Sequence, residues 1–245
     1  MLPRGVVLVR APNPGPMTLE GTNTWVLHGP TGAVVLDPGP KHAGHRAAVL
    51  DAVAGAPVTH VLLTHGHADH AAGAAALAAA VGAPLVPAGS LLAGADPGGL
   101  GLRALATPGH TGDSVCLLLP AGASAPAALL TGDTVLGRGS TAVDPDGLAD
   151  HLASLRALLL VAGNEGGLVL LPGHGPARPD AGAVVAELLA HRLERLEQVR
   201  AAVAAGARTP AAVVAAVYPG LEPALVPAAE RTAAASLALL AAERD

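Results

Sequence analysis

The chain has 245 residues and a formal net charge of -5, and 51% of it is hydrophobic, with no Phe, one Trp (Trp25) and one Tyr (Tyr218). That length admits one large domain plus a small appendage. The lack of a basic excess and of aromatic stacking platforms argues against an extended nucleic-acid surface, and a single cysteine, Cys116, rules out a disulfide framework and suits a reducing cytosol.

Residues 1–4 lead directly into a strand-like run at 5–10, with no long apolar stretch and cleavage site after it, so the expected location is cytoplasmic. Strands are expected at 5–10, 22–28 and 32–36, then a helix over 41–55 and a buried strand at 58–63. A helix from Asp69 to about Val81 would set its positive N-terminus near the Asp69 carboxylate. Strands near 84–86, 102–106, 114–119 and 127–131 follow, then a helix near 146–160 and a strand at 167–171. Cys116 lies inside the apolar run 114–119 and reads as a core residue. The closest approach to a membrane span, 71–92, is interrupted by Gly and Pro, so no membrane partner is expected.

After Arg178-Pro179 the character changes. Residues 180–205 read as one long helix. Thr209-Pro210 is a helix start, with Thr as N-cap and Pro in the first turn. A last helix is expected over 227–244. These readings divide the chain into a catalytic unit (1–178), a linking helix (179–205) and a helical appendage (206–245). Periodicity alone establishes only a mixed α/β chain.

The chemistry concentrates in one hexapeptide, His65-Gly66-His67-Ala68-Asp69-His70, which follows the apolar run 61–64. Three imidazoles and a carboxylate this close are costly to desolvate without a cation. A borderline-soft divalent metal, usually zinc, takes these groups as its normal ligands. Matching groups recur downstream: His110 in Thr107-Pro108-Gly109-His110, Asp133 in Leu130-Thr131-Gly132-Asp133, and His174 in Leu171-Pro172-Gly173-His174. In each case an apolar run ends in a Gly-bearing turn that projects the next side chain at a sheet edge. Four such ends meeting at one edge would give a di-metal site with seven protein ligands.

This set resembles the metallo-β-lactamase-fold hydrolase superfamily in order and spacing across roughly residues 5 to 180. The resemblance implies an α+β fold, a four-layer αββα sandwich. It implies one metal held by His65, His67 and His110, a second held by Asp69, His70 and His174, and Asp133 as the bridge. The nucleophile is then a water or hydroxide between the metals, and Asp69 and Asp133 are the catalytic carboxylates. Two Zn²⁺ are the expected cofactors, although imidazole and carboxylate also suit Mn²⁺ or Fe²⁺. The common di-zinc β-lactamases carry Cys where this chain has Asp133, so antibiotic hydrolysis is not expected. An Asp bridge is similar to the thioesterase, glyoxalase II and nuclease branches.

A narrower resemblance rests on residues 13–25, Asp37-Pro38-Gly39, residues 136–141 and His191-Arg192. Together they look like the lactamase-beta-2-like subfamily, whose animal members are endoribonucleases acting on single-stranded RNA. The subfamily's C-terminal winged-helix-like module corresponds to 206–245, here truncated before any β-wing. The resemblance makes Asp37 a partner to a ligand histidine. Thr22, Asn23, Arg138, His191 and Arg192 are further candidates for the cleft, each with an ordinary strand, loop or helix-face reading beside it. His28, His42, His45, His60 and His151 lack ligand spacing and read as structural or surface residues. The leading expectation is a dinuclear hydrolase of phosphodiester or ester-type substrates, endoribonuclease-like, with a glyoxalase II-like thioester hydrolase as the alternative. A mononuclear iron sulfur dioxygenase and an inactive binding protein are the remaining readings.

Overall fold

A computed structural model describes residues 2–92, 96–122 and 125–243. The first sheet has five strands in sequence order: β1 (Val6–Arg10), β2 (Asn23–Gly29), β3 (Gly32–Leu36), β4 (Val58–Leu62) and β5 (Leu85–Val86). The first three are antiparallel, and β4 and β5 continue in parallel. The second sheet has four: β6 (Arg103–Ala106), β7 (Val115–Leu119), β8 (Ala128–Gly132) and β9 (Val169–Pro172). Its first pairings are antiparallel, and β8–β9 is parallel.

The alternation of side chains along these strands builds the layers, because successive residues point to opposite faces. Trp25, Leu27, Val34, Leu36 and Leu62 face Val115, Leu117, Leu130 and Leu171 across the inter-sheet core. The intervening Val26, Val35 and Val61 pack outward on helices α1 (Ala43–Val53) and α3 (Ala74–Val81). On the second sheet, Cys116, Leu118, Leu129 and Leu170 pack outward on α5 (Leu148–Glu165) and the first half of α6 (Ala181–Ala204). The result is the expected αββα sandwich, and Cys116 is a buried core residue.

Three local differences from the sequence reading have physical causes. The helix expected from Asp69 to Val81 is broken into α2 (Ala68–Ala71) and α3. At the break, Gly73 N–H donates to the Gly39 carbonyl at 2.9 Å, and a Cβ at Gly73 would lie 2.9–3.2 Å from the carbonyls of residues 38–40. The loop after β3 therefore occupies the space that a continuous helix would need. A short α4 (Ala88–Leu91) follows β5 and was not expected. Helix α6 does more than link: Val184, Val185 and Leu188 belong to the sandwich, whereas Leu196, Val199 and Val203 join the appendage core.

The appendage consists of α7 (Pro210–Val217) and α8 (Val226–Ala242) joined by a short 3-10 turn, with no strand among the described residues. Thr209 caps α7 as expected, its hydroxyl accepting from Ala212 N–H. The stretch Pro223–Ala242 is long and apolar enough to cross a bilayer by composition alone. Here, however, Ala233, Ala235 and Leu240 pack on α6 and α7, and Arg231 pairs with Asp144.

Candidate active site

Strands β4, β6, β8 and β9 all end at the same edge of the sandwich, and each delivers part of one polar cluster. His65 follows β4, His110 follows β6, Asp133 follows β8 and His174 follows β9. The parallel β8–β9 register sets Gly132 opposite Pro172, which brings Asp133 beside the His174 turn. Gly173 is required there, since a Cβ would lie 2.4 Å from Asp133 Oδ1 and 2.7 Å from the His70 ring.

The ligand atoms converge in three groups, each within 4.8 Å: His65, His67 and His110; His65, His70 and Asp133; and Asp69, His70 and His174. Imidazole nitrogens face one another, His67 Nδ1 at 3.1 Å from His65 Nε2 and 2.9 Å from His110 Nε2, and His70 Nε2 at 3.2 Å from His174 Nε2. Asp133 Oδ1 is buried with no hydrogen bond, and its contact with His70 Nε2 at 3.3 Å does not align as one. Facing lone pairs and an orphaned buried carboxylate oxygen fit a cation bound between them. Neutral imidazole and carboxylate are the donors that divalent zinc, manganese and iron accept.

The outer contacts fix which ring nitrogen is free. His70 Nδ1 donates to Asp37 Oδ2 at 2.9 Å, and His110 Nδ1 donates to the Ala142 carbonyl at 2.7 Å. Thr64 Oγ1 donates to Asp37 Oδ2, so at 3.0 Å it accepts from His65 Nδ1. His174 Nδ1 faces the Gly21 carbonyl at 3.3 Å. Each of these four rings thereby presents Nε2 as an acceptor toward the cluster.

Above the cluster lies a cavity of about 480 Å³, with His67, Asp69, His110 and Asp133 on its floor. Its walls include Met17, Leu19, Leu136, Leu221 and Leu225, the last two from the appendage. A metal-ligand set under a largely apolar cavity is the geometry of a small-molecule site.

Comparison with known proteins places this geometry. A family model for the metallo-beta-lactamase superfamily matches residues 17–93. The lactamase-like protein GME11357 of Pestalotiopsis microspora is 32% identical over 78% of this chain and 60% of its own length. The beta-lactamase-like protein 2 homolog of Caenorhabditis elegans is 28% identical over 76% and 67%, respectively. An atrochrysone carboxyl ACP thioesterase of Aspergillus fumigatus is 32% identical over 87% of this chain and 73% of its own. The chain belongs to the metallo-beta-lactamase superfamily.

The chain spans 57–63% of the length of several curated relatives that it matches. Among solved structures, a beta-lactamase domain protein from Burkholderia ambifaria shares this superfamily fold, with a TM-score of 0.81 and 24% identity over 98% of this chain and 86% of that one. TTHA1623, solved in a di-iron-bound form, is 25% identical with a TM-score of 0.53, over 72% of this chain and 96% of that one.

The electrostatics of this superfamily site follow from burial and close pairing. Burial pushes the His65 pKa down to about 3. Burial also opposes charge on His70 and His174, but neighbouring carboxylates override it. Asp133 and Asp37 hold His70 well above the ordinary value, and Asp133 and Asp69 raise His174 to about 9. Against its own burial, Asp133 is held well below the usual carboxylate range by His70 and His174. The buried carboxylates therefore demand positive charge, which protons or bound cations supply.

The remaining sequence candidates separate into different roles. Asp37 is 1% exposed and accepts from Thr64 N–H, the Thr64 hydroxyl and His70. Thr22 and Asn23 secure the His174 turn rather than line the cavity: Asn23 Nδ2 donates to the Pro172 and Gly175 carbonyls at 3.0 and 2.8 Å, and Thr22 bridges to His174. Arg138 and Arg192 line the cavity, whereas His191 lies in a neighbouring groove with Glu187 and Arg178. Sequence reasoning missed Thr64 and Thr141, whose hydroxyls contact His65 and His110. The signals were the position of Thr64 immediately before His65 and that of Thr141 at the end of the 136–141 run. Of the histidines read as structural, His45 bonds Thr24, His42 caps α1, and His151 is buried behind the His110 turn with neither ring nitrogen bonded.

Proposed function

We propose that this chain is a dinuclear metal-dependent hydrolase acting on an ester-type carbonyl, with a thioester as the preferred substrate class. The observation that carries the proposal is the convergence of His65, His67, Asp69, His70, His110, Asp133 and His174 in one cluster, four of which form the floor of a largely apolar cavity. His65, His67 and His110 would hold one metal, Asp69, His70 and His174 the other, with Asp133 between them. Zinc is the expected ion; the di-iron form of TTHA1623 supports iron as the alternative. When bound, such a pair lowers the pKa of a shared water and polarises a substrate carbonyl.

The chain's own residues supply positioning and water exclusion. Asp37, Thr64 and the Ala142 carbonyl fix the ring orientations and keep Nε2 directed at the cluster, and the protons that the carboxylates otherwise hold on His70 and His174 would be displaced on metal binding. Asp69 is the more open of the two carboxylates on the cavity floor, with a side chain 29% exposed against 9% for Asp133. It is placed to orient an attacking water and accept its proton. Leu136, Leu221 and Leu225 make the cavity dry enough to strengthen each electrostatic contact.

The cavity favours a thioester over RNA. Its size suits one acyl group, and its walls carry no aromatic platform apart from Tyr218. The thioesterase names of several relatives point the same way. The phosphodiester reading rests on the likeness to the Caenorhabditis elegans relative. Turnover of an acyl-cysteamine thioester and of bis(p-nitrophenyl) phosphate by zinc-loaded protein tests the choice. Thioester hydrolysis that a chelator abolishes is expected; phosphodiester hydrolysis alone would overturn the substrate assignment.

A further inference from the structure

Three arginines line the cavity: Arg138, Arg192 and Arg231. Two have carboxylate partners near the surface. Arg138 pairs with Glu20, and Arg231 pairs with Asp144 at 3.0 Å. Arg192 has no carboxylate partner among the described residues. It is also the most buried of the three, at 6% exposed. Its Nη2 donates to the Thr141 carbonyl, and its Nε has no partner. The neighbouring buried His151 offers no negative charge, and burial holds its pKa down to about 3.

A guanidinium carries five N–H donors in a planar fork and stays charged under ordinary conditions. Burying it without an anion is costly, and most buried charges are paired for that reason. Burial lowers the pKa of Arg192 only to about 10, so the charge persists at neutral pH. The Thr141 carbonyl satisfies one donor and leaves the charge uncompensated. A structural tie between α6 and the loop before α5 would need only that single bond, and an apolar side chain or Gln could hold the same helix without the electrostatic cost.

We infer that Arg192 receives a carboxylate carried by the acyl portion of the substrate, while the scissile carbonyl lies at the histidine–aspartate cluster. This rests on the reading of the cavity as the substrate site. Carboxylate is the better match because one guanidinium balances one such charge in a two-point contact. A phosphate dianion would leave charge unbalanced against the leucine wall. The substrate class is therefore a thioester whose acyl group has an apolar body and a free carboxylate.

The test has two arms on zinc-loaded protein. In the first, binding of α,ω-dicarboxylates of four to eight carbons is compared by calorimetry with that of monocarboxylates of the same length. The wild type should prefer one dicarboxylate by about tenfold or more, and Arg192→Met should lose that preference while Arg192→Lys keeps part of it. In the second, KM and kcat are measured on a length-matched pair of thioesters, one ending in carboxylate and one in methyl. In Arg192→Met, KM for the carboxylated member should rise about tenfold more than KM for its neutral counterpart. No dicarboxylate preference in the wild type, or a preference that survives in Arg192→Met, would overturn the inference. Failure to hydrolyse either thioester would sink the thioester reading alone, because the binding arm still decides the role of Arg192.

Discussion

Asp37→Asn isolates the hydrogen-bond logic of the site with little change in shape. Asp37 has φ +50, a conformation Asn tolerates, and its carboxylate accepts from Thr64 N–H at 2.8 Å, the Thr64 hydroxyl at 2.7 Å and His70 Nδ1 at 2.9 Å. The amide oxygen of Asn can keep the Thr64 N–H bond, which leaves its NH2 facing His70 Nδ1. To accept that bond the imidazole must move its proton to Nε2. That atom lies 3.3 Å from Asp133 Oδ1, 3.5 Å from Asp69 Oδ2 and 3.2 Å from His174 Nε2, where a metal would be held. Loss of an outer contact of this kind lowers metal affinity by about 10- to 100-fold, or about 1.4–2.7 kcal/mol. The same NH2 also displaces the Thr64 hydroxyl bond to Oδ2, so two charge-assisted hydrogen bonds are lost and the fold should lose about 3–6 kcal/mol. Competition against a chelator of known affinity, with elemental analysis after dialysis, should show selective loss of the metal held by Asp69, His70 and His174. Full retention of both metals at unchanged affinity would refute the tautomer argument.

Other perturbations separate the parts of the site. Asp133→Ala should lower bound metal and abolish hydrolysis, whereas Arg138→Ala, at an exposed ion pair, should change KM more than metal content; elemental analysis and kinetics check both. Gly109→Ala should destabilise the fold by about 2–5 kcal/mol in denaturant unfolding, because φ is +134 and the new Cβ would lie 2.4 Å from the His151 Cβ. His151 titrates near 3 when folded, through burial, against 6.5 for the ordinary residue. Its share of stability is therefore full above pH 6.5 and falls as acid protonates the unfolded chain first. Between pH 6.5 and 4.5 this removes about 2 kcal/mol, a loss that His151→Leu should escape in urea titrations at the two pH values. Cys116 is buried, with its pKa pushed up by burial to about 11, so a thiol reagent should leave the native protein unmodified and label it only in denaturant.

The parts of the site that sequence displays are those with local signatures. His65 through His70, His110, Asp133 and His174 each follow an apolar strand and a turn, and the sandwich brings all seven to one edge. The strands themselves were visible as apolar runs, and in a strand neighbours such as Leu117 and Cys116 must face opposite layers. What sequence withheld depends on tertiary approach. The break at Gly73 exists only because the 38–40 loop packs against it. The helices of 206–245 were visible, but not that Leu221 and Leu225 would roof a cavity over His67 and Asp69. Arg192 is a cleft candidate in the sequence with a solvated helix-face reading beside it, and its burial becomes visible only when α6 is packed.

The most direct test of the central claim is metal content per chain in protein purified without added metal, measured together with chelator-sensitive thioester turnover. The account predicts close to two divalent ions per chain, with hydrolysis lost on stripping and restored when zinc is returned. Undiminished hydrolysis by fully stripped protein, or a single iron with no hydrolysis at all, would contradict it.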